Sequence, residues 1–127
     1  MIRISVDDSR RTRFIVYEGI VDDVELLKAY KELVARPDFN KTYNDFVDLT
    51  HVDEFQVTSK GISDLAAFLK PYIGELATTK LAIVATKPYI YGMARMYQSV
   101  RDDAPRKIKV FRDADEAFFW LGIPPLK

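Results

Sequence analysis

Five consecutive apolar residues, Leu81-Ala82-Ile83-Val84-Ala85, constrain this chain more than any other stretch. A strand with one wet face alternates apolar and polar residues, so a strand that is apolar at every position must be covered on both faces. Such strands sit in parallel sheets, whose crossover connections supply the covering helices. The flanks agree. Before the run, Ile62, Leu65, Ala66, Leu69 and Ile73 recur at helical spacing, and after it Pro88 stands where a first helical turn accepts proline. The expectation is an α/β fold.

Ile2, Ile4 and Val6 alternate with polar residues, and Thr12 to Glu18 is centred on Phe14-Ile15-Val16-Tyr17, so the two read as a hairpin that Gly19 closes. Asp22 with Glu25 predicts a capping box ahead of a helix carrying Leu26, Leu27, Tyr30, Leu33 and Val34, which Pro37 stops. Asn44 to Thr50 predicts a third strand, His51-Val52-Asp53-Glu54 an acidic loop, and Thr58 the cap of a second helix that Pro71 kinks or ends. A fourth strand over Lys80 to Thr86, a third helix from Tyr89 to about Arg101 and a fifth strand over Lys107 to Phe111 follow. Asp113 and Glu116 open a last helix with Ala117, Phe118 and Leu121, which ends at Gly122 before Pro124-Pro125. This order predicts one domain over residues 1–127, a mixed sheet of about five strands with an N-terminal hairpin, mostly parallel strands thereafter, and four helices.

Several functional classes are set aside by composition. Among 127 residues there is no cysteine, which removes disulfides, thiolate metal sites and cysteine nucleophiles together. Nineteen basic residues balance nineteen acidic ones, so the molecule as a whole has no electrostatic pull toward nucleic acid or an anionic surface. Arg10, Arg11 and Arg13, and Arg106, Lys107, Lys109 and Arg112, read as solubilising clusters. No apolar run approaches the roughly 20 residues that span a bilayer, and Asp7-Asp8 comes too early for a secretion signal. A cytoplasmic protein without integral membrane association is expected.

Gly19, Gly61, Gly74, Gly92 and Gly122 are too scattered for a phosphate-cradling loop. His51 is the one imidazole, so two-histidine metal motifs are impossible, while Asp45, Asp48, Asp53 and Glu54 lack a calcium-loop pattern and read as the solvated margin of a strand. No metal and no cofactor are expected. Ser59, His51 and Asp48 or Asp53 can be drawn as a triad, but no Gly-x-Ser-x-Gly elbow surrounds a serine, so no enzyme is expected.

Two candidate sites remain. Parallel sheets bind ligands beyond the carboxyl ends of their strands. There Thr58, Ser59, Lys60 and Gly61 would offer an anion or phosphate the free amides and positive dipole end of the second helix. The competing reading is a cap at Thr58 with Gly61 permitting close packing. The third helix is the other candidate. Tyr89, Ile90, Tyr91, Met93, Ala94, Met96, Tyr97 and Val100 point in nearly every direction and exceed what one sheet contact buries. Phe68, Tyr72 and Leu76 on the second helix, and Phe119-Trp120 on the last, repeat the surplus on a smaller scale. Three readings compete, in this order: a packed groove between helices, a subunit interface, and a pocket for an apolar ligand.

Phe46-Val47-Asp48-Leu49-Thr50-His51-Val52, Thr58-Ser59-Lys60-Gly61, Tyr91-Gly92-Met93-Ala94-Arg95-Met96-Tyr97, and Val110-Phe111-Arg112-Asp113 with Glu116-Ala117 and Trp120-Leu121 resemble the SpoIIAA-like, or STAS-like, family of small bacterial proteins. The resemblance covers nearly the whole chain and implies a STAS-type mixed sheet. Anti-sigma-factor antagonists of the wider superfamily carry Asp-Ser-Ser-Gly at the second helix, where a kinase partner phosphorylates the second serine. Lys60 occupies that position here, so partner switching does not carry over, and only the neighbouring Ser59 and Thr58 offer a hydroxyl. The family's loose grouping with lipid-binding CRAL-TRIO modules parallels the apolar-ligand reading. The expected function is a non-enzymatic binding or regulatory module acting on a protein partner or on its own copy. The alternative is a carrier or sensor of a small apolar or amphipathic ligand near the third helix. Either would use Phe68, Tyr72, Tyr89, Tyr91, Met93, Met96 and Tyr97.

Overall fold

Residues 1–72, 79–102 and 106–124 are described by the computed structural model; Ile73, Gly74, Leu76 and Pro125 of the sequence reading lie outside them. Strands β1 (Ile2–Asp7) and β2 (Thr12–Asp22) are followed by α1 (Asp23–Ala35), β3 (Asn44–Gln56), α2 (Ser59–Leu69) and β4 (Lys80–Val84). Then come α3 (Pro88–Val100), β5 (Lys107–Phe111) and α4 (Ala114–Leu121). The sheet runs β1-β2-β3-β4-β5, with β1 antiparallel to β2 and every later pair parallel. Because spatial order follows chain order, crossovers of one hand stack α1, α2 and α3 on the same face. Helix α4 comes after the last strand and covers the opposite face.

Alternation divides the strands between two cores. Ile15, Tyr17, Val47, Leu49, Leu81, Ile83 and Val110 face the three helices. Phe14, Phe46, Ala82, Val84 and Phe111 face α4, where Phe46 stacks on Phe118 with ring centroids 4.5 Å apart. Leu81-Ala82-Ile83-Val84-Ala85 is buried throughout, as its composition requires.

The caps are largely as read. Asp22 accepts from the Glu25 amide at 2.9 Å and Thr58 from that of Gly61 at 3.1 Å, and Gly122 ends α4 at φ +75°. Two details differ. Glu25 reaches the N-terminal ammonium at 3.0 Å, and Asp113 caps through Asp115 rather than Glu116.

Strands β2 and β3 are longer than alternation suggested. β2 continues to Asp22, and residues 51–56, of which 51–54 read as an acidic loop, extend β3 by pairing with Glu18–Asp22. Gly19 does not close a hairpin. With φ +69° it lies at register shifts that let two long parallel strands stay paired. These irregularities break the period-two pattern, so the extension is hidden in the sequence.

Candidate functional site

On the three-helix face the amino ends of the parallel strands carry a charged cluster. Arg13 and Asp45 are direct register partners on β2 and β3, in phase with Ile15 and Val47 and therefore inward-facing. Arg13 clasps Asp45 with two bonds, Nε to Oδ1 at 2.6 Å and Nη2 to Oδ2 at 3.0 Å. Arg106, immediately before β5, donates Nη2 to the same Oδ2 at 2.6 Å and to the carbonyls of Tyr43 and Lys80 at 3.1 and 3.2 Å. All three side chains are at most 4% exposed. Burial pushes the Asp45 carboxyl up, but Arg106 and then Arg13 outweigh it and hold the group below the usual carboxylate range.

These residues correct the sequence reading. Arg13 and Arg106 are not solubilising, and Asp45 is no solvated margin. Removing Asp45 from this cluster strands two guanidiniums in low dielectric and costs about 3–5 kcal/mol.

Above the cluster lies a cavity of about 60 Å³ between sheet and helices. Its wall is mostly aliphatic, with Leu49, Ile83, Leu65, Met93 and Ala94 prominent. Asp45, Arg106 and the rings of Tyr17, Tyr30 and Tyr97 supply the polar part. The hydroxyls of Tyr17 and Tyr30 are 2.7 Å apart, and burial is the main cause that raises the ionisation of Tyr17, Tyr30 and Tyr97 above the ordinary phenol value. The Nε of Arg106 is buried and has no hydrogen-bond partner among the described residues. An apolar chamber with a charged end and an unspent donor is suited to a small molecule with a greasy body and one acceptor group.

The residues singled out on α3 divide between inside and outside. Met93 and Tyr97 are buried and line this cavity, with Ile90 and Ala94 buried beside them. Met96 and Tyr91 are half-buried, and the Arg112 guanidinium lies 4.3 Å from the Tyr91 ring centre. Tyr89 is 57% exposed, yet its hydroxyl donates to the Val57 carbonyl at 2.9 Å. On α2, Phe68 is half-buried with its ring 5.3 Å from that of exposed Tyr72. Most of the surplus on α3 is thus absorbed within the protomer, around an incompletely filled space.

At the α2 N-terminus Ser59 and Lys60 are exposed, and Lys60 pairs with Asp64 at 2.7 Å. Asp23 of α1 reaches this end, accepting from the Thr58 amide at 2.8 Å and from its hydroxyl at 2.5 Å. A Cβ on Gly61 would overlap that carboxylate. The protein's own acid therefore takes the place proposed for an external anion, and Gly61 serves the close approach of Asp23. His51 is exposed on β3, its Nε2 3.4 Å from Asp48 Oδ2, while Thr50 takes the other oxygen of Asp48 through its amide and hydroxyl.

No family model matches the chain, and no curated protein matches it. Among solved structures it is similar to an uncharacterized protein from the DUF3478 family with a SpoIIAA-like fold from Shewanella loihica PV-4. The TM-score is 0.59 at 16% identity, over 95% of this chain and 92% of the other. The fold is SpoIIAA-like. That likeness concerns the sheet, its order and the helical layers, and it agrees with the resemblance read from the sequence. In this SpoIIAA-like domain no described helix is long and apolar enough to cross a membrane.

Proposed function

We propose that the protein is a non-enzymatic binding module whose cavity beneath α3 receives a small, largely apolar molecule, making it a carrier or sensor. The observation that supports this reading is the unfilled, aliphatic space bounded by Met93, Ala94, Leu65 and Ile83 in an otherwise close-packed core. Native interiors rarely keep voids larger than a water, because each forfeits dispersion contacts. At roughly 10–15 Å³ for each water-sized position, the cavity accommodates about four to six such groups. The ligand is therefore small, unless α2 and α3 separate.

The test is a titration with butan-1-ol followed by backbone amide NMR. Saturable shifts centred on Met93, Ala94 and Leu65, abolished in Ala94→Leu, are expected. Shifts that are linear in concentration and spread over the surface would overturn the reading.

Contact with a protein partner or a second copy, the function ranked first from the sequence, is less well supported by the arrangement of α3. Met93 and Tyr97, two of its intended anchors, are turned inward.

A further inference from the structure

The cavity has a polar end as well as an apolar body, and the polar end selects among ligands. Among the described residues, two guanidiniums, Arg13 and Arg106, meet one carboxylate, Asp45, which leaves one formal positive charge in a desolvated cluster. Tyr17, Tyr30 and Tyr97 bring neutral hydroxyls to the same end, where buried Arg101 acts on the Tyr97 hydroxyl. The bonding capacity of the cluster is also unequal. Asp45 has both oxygens engaged, whereas Arg106 concentrates three bonds on Nη2 and leaves buried Nε without a partner among the described residues. A buried N–H that has lost water without gaining an acceptor is costly, and native proteins keep few of them.

Resting on the cavity reading above, we propose that the ligand is a small aliphatic carboxylate, its chain among Leu65, Met93 and Ile83 and one carboxylate oxygen accepting from Arg106 Nε. Three features of the site point to this class together. The orphaned donor needs an acceptor, the net positive charge prefers an anion, and the aliphatic wall prefers an unbranched or lightly branched carbon chain. A cation would meet like charge, and a neutral alkane would leave the donor unpaired. The available volume sets the length at about a four-carbon acid.

The experiment compares butanoate with butan-1-ol, equal in chain length and different in head group, by NMR titration of the full chain. A charge-assisted hydrogen bond supports a preference for the acid of about tenfold or more. In Arg106→Met the acid should fall to the affinity of the alcohol, with the alcohol unchanged. Equal binding of acid and alcohol to the wild-type protein would overturn the carboxylate assignment and leave the cavity reading standing. Retention of the full preference in Arg106→Met would overturn the role of Arg106. Failure of both compounds to bind the cavity would overturn the cavity reading itself. Since Arg106→Met removes a partner of Asp45 and risks misfolding, the wild-type comparison is decisive without it. A series from acetate to octanoate gives an independent readout, with tightest binding expected near four carbons and no length preference counting against the site.

Discussion

The two faces of the sheet are built from the same strands and solve burial differently. The α4 face is closed by one helix and by rings, with Phe14 against Phe46 and Phe46 stacked on Phe118, over the small side chains of Ala82 and Ala117. The α1–α3 face has three helices over a wider area. It keeps a cavity, a pair of buried tyrosine hydroxyls and an Arg-Asp-Arg cluster. A face made only for stability resembles the first. The second carries groups that are costly to bury and a space that forfeits packing contacts, costs that the proposed ligand site would account for.

Substitutions separate the two faces. The largest effects should be of similar size and different origin. Phe118→Ala opens a void and Asp45→Leu strands two guanidiniums, and each is expected to cost about 3–5 kcal/mol in urea unfolding. They part on acidification. The Asp45 carboxyl is depressed in the folded state, so its stabilisation is present above the unfolded carboxyl value near pH 4 and is lost as pH falls below it. Wild type and Phe118→Ala should therefore lose stability in parallel as the pH falls below about 4, and Asp45→Leu should lose less. Parallel curves for all three proteins would remove Asp45 from the account.

Matched enlargements come next. Ala117→Leu forces a larger side chain into the tight α4 contact and should destabilise by about 1–3 kcal/mol. Ala94→Leu fills the cavity beneath α3 and should change stability by less than about 1 kcal/mol while blocking butan-1-ol. An equal penalty at both positions would mean that the two faces are packed alike. Smallest is Phe119→Ser on the outer side of α4, where the ring is 87% exposed and stability should move by no more than about 0.5 kcal/mol.

Most of the fold was legible because its signals are local. The apolar run at 81–85, the caps Asp22 and Thr58, and Gly122 each depend on near neighbours in the chain, and the structure has them as read. Residues 51–56 were not legible as strand, since their pairing depends on distant β2 and on shifts at Gly19. Site residues divide similarly. The surplus on α3 pointed to Met93 and Tyr97 through helical period, though which way they turn depends on α2 and the sheet. Arg13 and Asp45 were missed because their charge outweighed their phase, yet each lies two residues before an inward aliphatic side chain, Ile15 and Val47. Reading charged residues by strand parity would have found both. Arg106 precedes its strand, yet it lies two residues before Ile108 and four before Val110, which face the same core, so the same parity marks it. Asp23 at the α2 N-terminus is a tertiary contact that a cap pattern cannot show.

The central claim, a ligand space whose charged end is Arg106, is tested most directly by a crystal structure of the protein with 3-bromopropanoate, which has as many non-hydrogen atoms as butanoate. Anomalous bromine signal beside Met93 and Leu65, with a carboxylate oxygen at about 2.7–3.2 Å from Arg106 Nε, is the expected result. A cavity closed by Met93, with bromine only on the outer surface at saturating acid, would contradict it.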